Sequence, residues 1–113
     1  MQTCIFCKLG SDLEKPHVLF KSEHCFVIKD IAPKAPIHYL IIPKLHIQNV
    51  AYFQKEHAAV AADMLLMATT VAHALPNKSD FRLIINNGQA VGQSVFHLHM
   101  HLLAGFTTHN DID

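Results

Sequence analysis

The sequence lacks a long apolar run and an excess of charge of either sign, and each absence excludes a class of protein. Half of the 113 residues are hydrophobic, but no apolar run approaches the roughly 20 residues of a membrane span. The basic and acidic residues balance to a formal charge of zero, so electrostatics give no case for nucleic-acid binding. We therefore expect neither a membrane nor a nucleic acid as a partner.

A secretion signal is also lacking, and cysteines are few. The first four residues, MQTC, have neither a basic start nor an apolar signal core. The three cysteines, Cys4, Cys7 and Cys25, are an odd number, which argues against a disulfide framework and for a reducing compartment. We expect a cytoplasmic protein.

The length fits one domain with one core. The sequence contains no internal repeat, no low-complexity tract and no linker between domains. We interpret residues 1–113 as a single domain, with residues 107–113 as a loose polar tail.

Three histidines alternate with apolar residues in the stretch from Ser94 to Leu103. They are His97, His99 and His101. Alternation with period two is typical of a half-buried β-strand, which places all three imidazoles on one face. A single histidine on a strand is usually only a half-polar core or surface residue. Three in register favour chemistry or a metal, because each imidazole can be a nucleophile, acid, base or ligand near neutral pH.

The rest of the chain predicts a mainly antiparallel α+β domain. Strands rich in β-branched and aromatic residues are expected at 18–22, 25–30, 37–42 and 81–86, besides the histidine strand at 94–103. A short helical turn is expected at 4–10 and one long helix at 54–75. The long helix has an apolar stripe at helical spacing, which predicts that it covers the sheet: Val60, Met64, Met67, Ala68, Val71 and Leu75.

The histidine run also resembles a family signature. His97-Leu98-His99-Met100-His101-Leu102-Leu103 is similar to the His-x-His-x-His motif of the histidine triad (HIT) family of nucleotide hydrolases and transferases. Further segments, at 5–8, 29–33, 38–46, 82–88 and 92–96, resemble that family in the same order. The resemblance implies a five-stranded antiparallel sheet with one long helix and a short N-terminal helix. Gly92-Gln93-Ser94 is most similar to the histidine triad nucleotide-binding (Hint) branch.

The resemblance implies a role for each catalytic residue. His99 would attack the α-phosphorus, and a neutral imidazole is a competent nucleophile and leaving group. His101 would hydrogen-bond the phosphoryl oxygens. His97 would lie beside the leaving-group atom, backed by His38, and Ser94 would donate to the phosphate.

A nucleotide pocket is implied as well. Asp30 would accept from both ribose hydroxyls. Besides His99 and His101, the expected phosphate contacts are Asn86, Gly92, Gln93 and Ser94, and the expected apolar slot for the purine is Ile5, Phe6, Leu9, Ile28 and Ile31. Plain core packing is the commoner fate of such apolar residues and stays open for these five.

The pair Cys4 and Cys7 forms a Cys-x-x-Cys, which could chelate zinc, act in redox chemistry or simply pack in the core. A redox pair normally opens a helix in a thioredoxin-like fold, which the pattern does not predict. The resemblance implies a structural zinc ion held by Cys4, Cys7, His46 and His97. The implied reaction needs no catalytic metal, because imidazoles and fixed dipoles meet the phosphoryl charge.

The resemblance implies a function, namely hydrolysis of purine nucleoside phosphoramidates or similar adenylated amines through a nucleotidyl-His99 intermediate. The alternatives are a dinucleoside polyphosphate hydrolase of the same family and a non-catalytic, zinc-stabilised nucleotide-binding or adaptor module. Relatives pair through the long helix and a neighbouring strand, and the alanine-rich stretch 58–62 fits a homodimer. The tail 104–108 departs from the Gly-Gly-Arg of the Hint branch. The resemblance therefore does not predict which leaving group is preferred.

Overall fold

The computed structural model describes residues 4–76 and 80–106. Its elements, in chain order, are α1 (Ile5–Leu9), β1 (Phe20–Lys21), β2 (Cys25–Lys29), β3 (Ile37–Pro43), α2 (Ala58–Ala74), β4 (Phe81–Ile84) and β5 (Met100–Ala104). The strands form one sheet in the order β1-β2-β3-β5-β4, and all neighbours are antiparallel. The predicted α+β architecture is confirmed.

Helix α2 covers one face of this sheet. Five members of the predicted apolar stripe are buried within α2 and the sixth, Leu75, is buried at its end. They pack against β2, β3 and β5 through Val27, Ile41, Met100 and Leu102. The apolar half of the histidine motif therefore faces α2, as the period of two predicts.

The opposite face of the sheet carries a smaller apolar cluster beneath α1. Phe6 of α1 packs there with Phe26, Ile28, Leu40 and Ile42. Because side chains alternate along each strand, this is also the face to which the histidines point.

The largest differences from the predicted bounds are at the starts of α2 and β5, and the other bounds agree within two residues. Helix α2 begins at Ala58 rather than at residue 54, because residues 55–57 form a 3-10 turn. Strand β5 begins at Met100 rather than at residue 94. The preceding segment leaves the sheet, and the Leu98 amide donates to the Ile47 carbonyl at 2.7 Å instead. The predicted tail at 107–113 lies outside the described residues. Among the described helices, none has the length and apolarity to cross a bilayer.

A carboxylate joins α2 to the hairpin between β1 and β2. Oδ2 of Asp63 accepts from the Ser22 hydroxyl at 2.6 Å and from the His24 amide at 2.9 Å. Burial raises the pKa of the Asp63 carboxyl, but the hydrogen bonds from Ser22 and His24 outweigh it, so the pKa lies below its ordinary value. The ionised carboxylate is thus the form that holds the hairpin to the helix.

We expect Asp63→Ala to lower the free energy of unfolding at pH 7 by about 1–3 kcal/mol, because two donors lose their acceptor. A carboxyl group whose pKa is lower in the folded than in the unfolded protein stabilises the fold at pH values above its unfolded pKa, near 4. This stabilisation is lost as the pH falls through the folded pKa. Urea unfolding should therefore show a smaller difference between Asp63→Ala and wild type at pH 3 than at pH 7. Glu56→Ala, on the exposed approach to α2, is the control, and an equal loss at both pH values would contradict the prediction.

Candidate functional site

A pocket of about 1140 Å³ lies on the face of the sheet opposite α2. It crosses the sheet from β2 to β4, with α1 over one end and residues 103–106 at the other. Twelve predicted site residues line it: Ile5, Phe6, Leu9, Ile28, Asp30, Ile31, His38, Asn86, Gly92, Ser94, His99 and His101. The structure therefore brings most of the predicted site into one cavity.

The ring of His99 is fixed by its own strand. Its Nδ1 is 2.8 Å from the carbonyl oxygen of His97, and a carbonyl can only accept, so Nδ1 carries the proton. The Nε2 of a neutral His99 then has a free lone pair. The ring lies edge-on to Phe6, with centroids 5.0 Å apart, and to His101 at 5.1 Å. An imidazole held in this tautomer is suited to nucleophilic attack.

A chain of hydrogen bonds assigns the tautomers of His38 and His101. The Lys34 amide donates to Nδ1 of His38 at 3.0 Å, so the proton of a neutral His38 is on Nε2. That Nε2 lies 2.9 Å from Nδ1 of His101, which must therefore accept. The proton of His101 is then on its own Nε2, where it can donate into the pocket.

Both of these histidines resist protonation. Burial lowers the pKa of His38 more than the Asp30 carboxylate raises it. Burial, followed by the proximity of His99 and His38, lowers the pKa of His101 to about 4. The two rings are therefore neutral at pH 7, and the donor of His101 is an uncharged N–H.

The partner of His38 differs from the prediction. The predicted neighbour was His97, whereas the structure places His38 against His101. Strands β3 and β5 pair with His38 opposite Leu103, so the nearest histidine on the same face of β5 is His101. His38 also lies 3.3 Å from Oδ2 of Asp30.

Asp30 follows β2 at the edge of the pocket. Its Oδ1 accepts from the Ala32 amide at 2.8 Å, which fixes the carboxylate in the turn after the strand. Each carboxylate oxygen has two acceptor positions, so both can still accept from a ligand.

The five predicted apolar slot residues divide into two groups. Phe6 and Ile28 are buried members of the cluster beneath α1, and Leu9 packs partly buried against it, as plain core packing predicts. Ile5 is 46% exposed, and Ile31 is fully exposed. Two exposed isoleucines at a pocket entrance provide apolar surface that a ligand could cover.

Gln93 was predicted to contact the nucleotide, but the structure places it outside the pocket. Its side chain is buried, its Oε1 accepts from the Gly88 amide at 2.8 Å, and its Nε2 donates to the carbonyls of Gln48 and Val95. These bonds hold the loop before β5, in which Gly88 and Gly92 both have positive φ. Gln93 therefore shapes the loop that presents Ser94.

His97 was predicted to lie beside the leaving group, but it does not line the pocket. It is fully buried, and its Nε2 lies 2.8 Å from the carbonyl oxygen of Pro43. Because a carbonyl oxygen accepts, the proton of His97 is on Nε2. Nδ1 of a neutral His97 then has a lone pair on the edge of the ring that faces away from Pro43. The segment 95–97 bends before β5 begins, which turns this ring away from the face that carries His99 and His101.

The lone pair of His97 points into a cluster with Cys4, Cys7 and His46. The four donor atoms lie within 4.8 Å of one another. Nδ1 of His97 is 3.3 Å from Sγ of Cys4 and 3.6 Å from Sγ of Cys7, and Nδ1 of His46 is 3.2 Å from Sγ of Cys7. Ligands of a tetrahedral zinc ion at ordinary bond lengths stand about 3.5 Å apart, so this donor set fits such an ion.

The electrostatics of the cluster also fit a cation. Burial, together with the neighbouring Cys4, raises the pKa of the Cys7 thiol, since two adjacent thiolates repel each other. Burial lowers the pKa of His97, which keeps its ring in the neutral form that binds metals. A divalent cation would stabilise both thiolates at once.

Several pocket residues were not predicted from the sequence. Three are cations, Lys29, Lys34 and Arg82, and one is an aromatic residue, Phe106. Arg82 and Ile84 precede Asn86 by four and two residues, so the period of a strand could have placed them on the same face. Phe106 carried no such signal, because it follows the end of β5.

The fold and the site together define the class of protein. It is a small domain in which a five-stranded antiparallel sheet presents alternating histidines beside a Cys/His cluster. The model of the HIT domain family matches residues 13–108. Protein HitA of Neisseria gonorrhoeae is 36% identical over 91% of this chain and 96% of its own length. A HIT family hydrolase from Clostridium thermocellum is 40% identical, with a TM-score of 0.88 over 99% of this chain and 98% of that one. A second HIT family hydrolase, from Legionella pneumophila, is 34% identical, with a TM-score of 0.84 over 92% and 94% of the two chains. The chain belongs to the HIT domain family.

Proposed function

We propose that the protein hydrolyses purine nucleoside phosphoramidates, as in the Hint branch, through a nucleotidyl intermediate on His99. The observation that carries this proposal is the hydrogen bond from Nδ1 of His99 to the His97 carbonyl. It leaves the lone pair of Nε2 inside a pocket large enough for a nucleotide. Two similar structures are described as HIT family hydrolases, which supports hydrolysis as the reaction type.

The reaction divides into two displacements at the α-phosphorus. In the first, Nε2 of His99 forms a bond to phosphorus, and the phosphorus–nitrogen bond breaks as the nitrogen takes a proton from solvent and leaves as the neutral amine. In the second, water attacks phosphorus and gives up a proton to solvent, the bond to His99 breaks and a nucleoside monophosphate is released. The proton stays on Nδ1, and its hydrogen bond to the His97 carbonyl stabilises the positive charge that develops on the ring.

The phosphoryl oxygens would accept hydrogen bonds from uncharged donors. His101 offers its Nε2–H, fixed by His38, and Asn86 and Ser94 line the same part of the pocket. Donors that are already oriented cost no reorganisation as charge develops. Holding substrate and nucleophile in line can contribute about 7–11 kcal/mol of barrier reduction.

The nucleoside would lie at the β2 end of the pocket. Asp30 would accept from the ribose hydroxyls, and Ile5 and Ile31 would cover the purine. Full burial of an isoleucine side chain contributes about 1.5–3 kcal/mol, so covering these exposed side chains favours an apolar base over a charged group.

Two alternatives are tested by the same experiment. Purified protein is given adenosine phosphoramidate, a diadenosine polyphosphate and AMP, with hydrolysis of the first two and binding of the third measured. Preference for the phosphoramidate supports the proposal, and preference for the dinucleotide supports the polyphosphate hydrolase. AMP binding without any turnover supports the adaptor module.

The Cys4, Cys7, His46 and His97 cluster would hold a zinc ion. Two thiolates and two imidazoles are the ligand types of structural zinc sites, which add directly to folding free energy. The ion would tie the N-terminal helix to the segment before β5. Thiolate ligands persist in a reducing compartment, which supports a cytoplasmic location.

The pairing of two chains would use α2 and β4. Strand β4 is an edge of the sheet, and edge strands offer unpaired backbone groups to a partner. The outer side of α2 exposes Ala58, Ala62, Leu65 and Leu66, the two leucines at 60% and 63%. A homodimer would bury this surface and extend the sheet.

We therefore expect light scattering at micromolar concentration to give twice the 12.7 kDa mass of one chain. The double variant Leu65→Lys and Leu66→Lys should shift the protein to monomer, because burying unpaired charges in an interface is costly. Leu45→Lys, at an exposed leucine outside α2 and β4, should leave the mass unchanged. A monomeric wild type would exclude the homodimer.

A further inference from the structure

The pocket continues past the histidines to an arginine–aromatic pair. The guanidinium carbon of Arg82 lies 5.5 Å from the centroid of the Phe106 ring, and both residues line the pocket. A guanidinium within about 6 Å of a ring centroid is attracted by the negative face of the ring. Arg82 is half-buried, so its charge is only partly screened by water.

The strand register puts this pair at the opposite end of the pocket from the nucleoside site. His38 and Arg82 both pair with Leu103, and the Asp30 amide donates to the His38 carbonyl. Asp30 and Arg82 therefore stand in one row across the sheet, three strand spacings or about 14 Å apart. A nucleoside bound at Asp30 leaves the Arg82 end of the pocket for another part of the substrate.

The direction of attack points to the same end. In an in-line displacement the leaving group departs on the side of phosphorus opposite the nucleophile. His99 lies just before β5, His101 lies within β5, and Leu103 follows two residues further along the strand. A phosphorus atom held over His101 and attacked by His99 directs its leaving group towards Leu103 and the Arg82–Phe106 pair.

The other pocket cations lie elsewhere. Lys29 precedes Asp30 in the chain, and Nζ of Lys34 donates to the Ala32 carbonyl at 3.4 Å, so both lysines lie at the nucleoside end. At the leaving-group end the remaining lining residues are uncharged, namely Pro36, Ile84, Leu103 and Gly105. Among the described residues that line the leaving-group end of the pocket, Arg82 is therefore the one that carries a charge.

We propose that Arg82, held over the ring of Phe106, is a specificity-determining residue that recognises an anionic group, carboxylate or phosphate, on the leaving amine. The proposal rests on the proposed function, because a leaving group exists only if His99 displaces one. Arginine suits this role, since its planar fork can donate two parallel hydrogen bonds to either anion.

The test compares three adenosine phosphoramidates whose leaving amines are β-alanine, its neutral amide, and phosphoethanolamine. Wild type should show kcat/KM roughly tenfold or more higher for an anionic amine than for the neutral amide, as for a charge-assisted hydrogen bond. The ratio of kcat/KM for an anionic amine to kcat/KM for the neutral amide should decrease as the salt concentration is raised. A larger ratio for β-alanine would identify carboxylate as the preferred anion, and a larger ratio for phosphoethanolamine would identify phosphate.

Variants locate the effect. Arg82→Met should bring the ratio close to one, Arg82→Lys should keep part of it, and Phe106→Leu should give an intermediate value. Lys34→Met, at the other end of the pocket, and Lys55→Met, before α2, should keep the wild-type ratio. A ratio near one in wild type, or a ratio that survives Arg82→Met, overturns the proposal.

Failure of the proposed function has a different signature. Turnover of the neutral amide by wild type reports the chemistry at His99 alone, whereas the ratio reports Arg82. Turnover of all three substrates at one rate rejects the anion site and retains the hydrolase. Absence of turnover with all three rejects both.

Discussion

His99→Ala should lower kcat for adenosine phosphoramidate by several orders of magnitude, on the order of 10⁴-fold or more, as for removal of a covalent nucleophile. AMP affinity should stay close to that of wild type, because Asp30 and the apolar side chains at the β2 end of the pocket remain. Neither of the other two histidines among the described lining residues of the pocket can replace the lost one. The proton of His101 is on Nε2 and its Nδ1 is occupied by His38, so it presents a donor rather than a lone pair.

The measurement combines steady-state kinetics with rapid acid quench and mass spectrometry of the trapped protein. Wild type should carry one nucleotidyl group on the peptide that contains His99, and His99→Ala should carry none. His73→Ala, at an exposed histidine of α2, is the matched control. Near-wild-type turnover by His99→Ala, or an adduct on another histidine, would reject the mechanism and favour the binding module.

Asp30→Ala provides the opposite pattern. Loss of the ribose acceptor should raise KM by roughly tenfold with a smaller change in kcat, because this contact is made equally in the ground and transition states. Asp30→Asn separates ribose binding from the contact between Asp30 and His38. Its amide oxygen can still accept from one ribose hydroxyl, whereas the negative charge beside His38 is lost. A fall in kcat with KM unchanged would instead assign Asp30 to the positioning of His38.

The sequence was sufficient for those parts of the fold that depend on local periodicity. The alternation around His99 placed Met100 and Leu102 in the core, and the helical stripe of α2 is buried as predicted. Both signals are carried by short-range spacing, which fixes the face of a residue without knowledge of its neighbours. The family resemblance added that the strands form one five-stranded antiparallel sheet, but their order in that sheet, β1-β2-β3-β5-β4, was not predicted.

Contacts that depend on strand register were predicted less well. His38 was assigned the wrong histidine, because a shift of a few residues between β3 and β5 changes which side chains meet. Alternation also implied that His97 shares the face of His99, but the chain leaves the sheet before Met100. The hydrogen bonds that cause this, from Leu98 to Ile47 and from His97 to Pro43, join segments about 50 residues apart in sequence. Nothing local to the motif indicates them.

Removal of zinc should affect both stability and catalysis, because one residue belongs to both sites. The side chain of His97 belongs to the donor cluster with Cys4, Cys7 and His46, while its backbone carbonyl accepts from Nδ1 of His99 at 2.8 Å. An ion at the cluster would therefore fix the carbonyl that orients the nucleophile. Its loss should free α1, which carries Phe6, from the edge of the pocket.

We expect protein purified without chelator to contain one zinc ion per chain, and Cys4→Ser with Cys7→Ser to contain none. If free zinc exceeds its dissociation constant by a thousandfold, its loss costs about 4 kcal/mol of stability. In a domain of this size that corresponds to a fall in Tm of about 10–20 °C. Cys25→Ala is the control, because that thiol is buried in the main core and its loss should lower Tm without releasing zinc.

Catalysis distinguishes a coupled site from a merely stabilising one. Below its Tm, the metal-free double variant should have a lower kcat than Cys25→Ala at equal folded fraction, because the His97 carbonyl is no longer fixed beneath His99. Zinc added back after mild chelation of wild type should restore both Tm and kcat. If kcat is unchanged in folded metal-free protein, the cluster acts on stability alone. If wild type contains no zinc, or the double variant retains it, the donor set is not a zinc site.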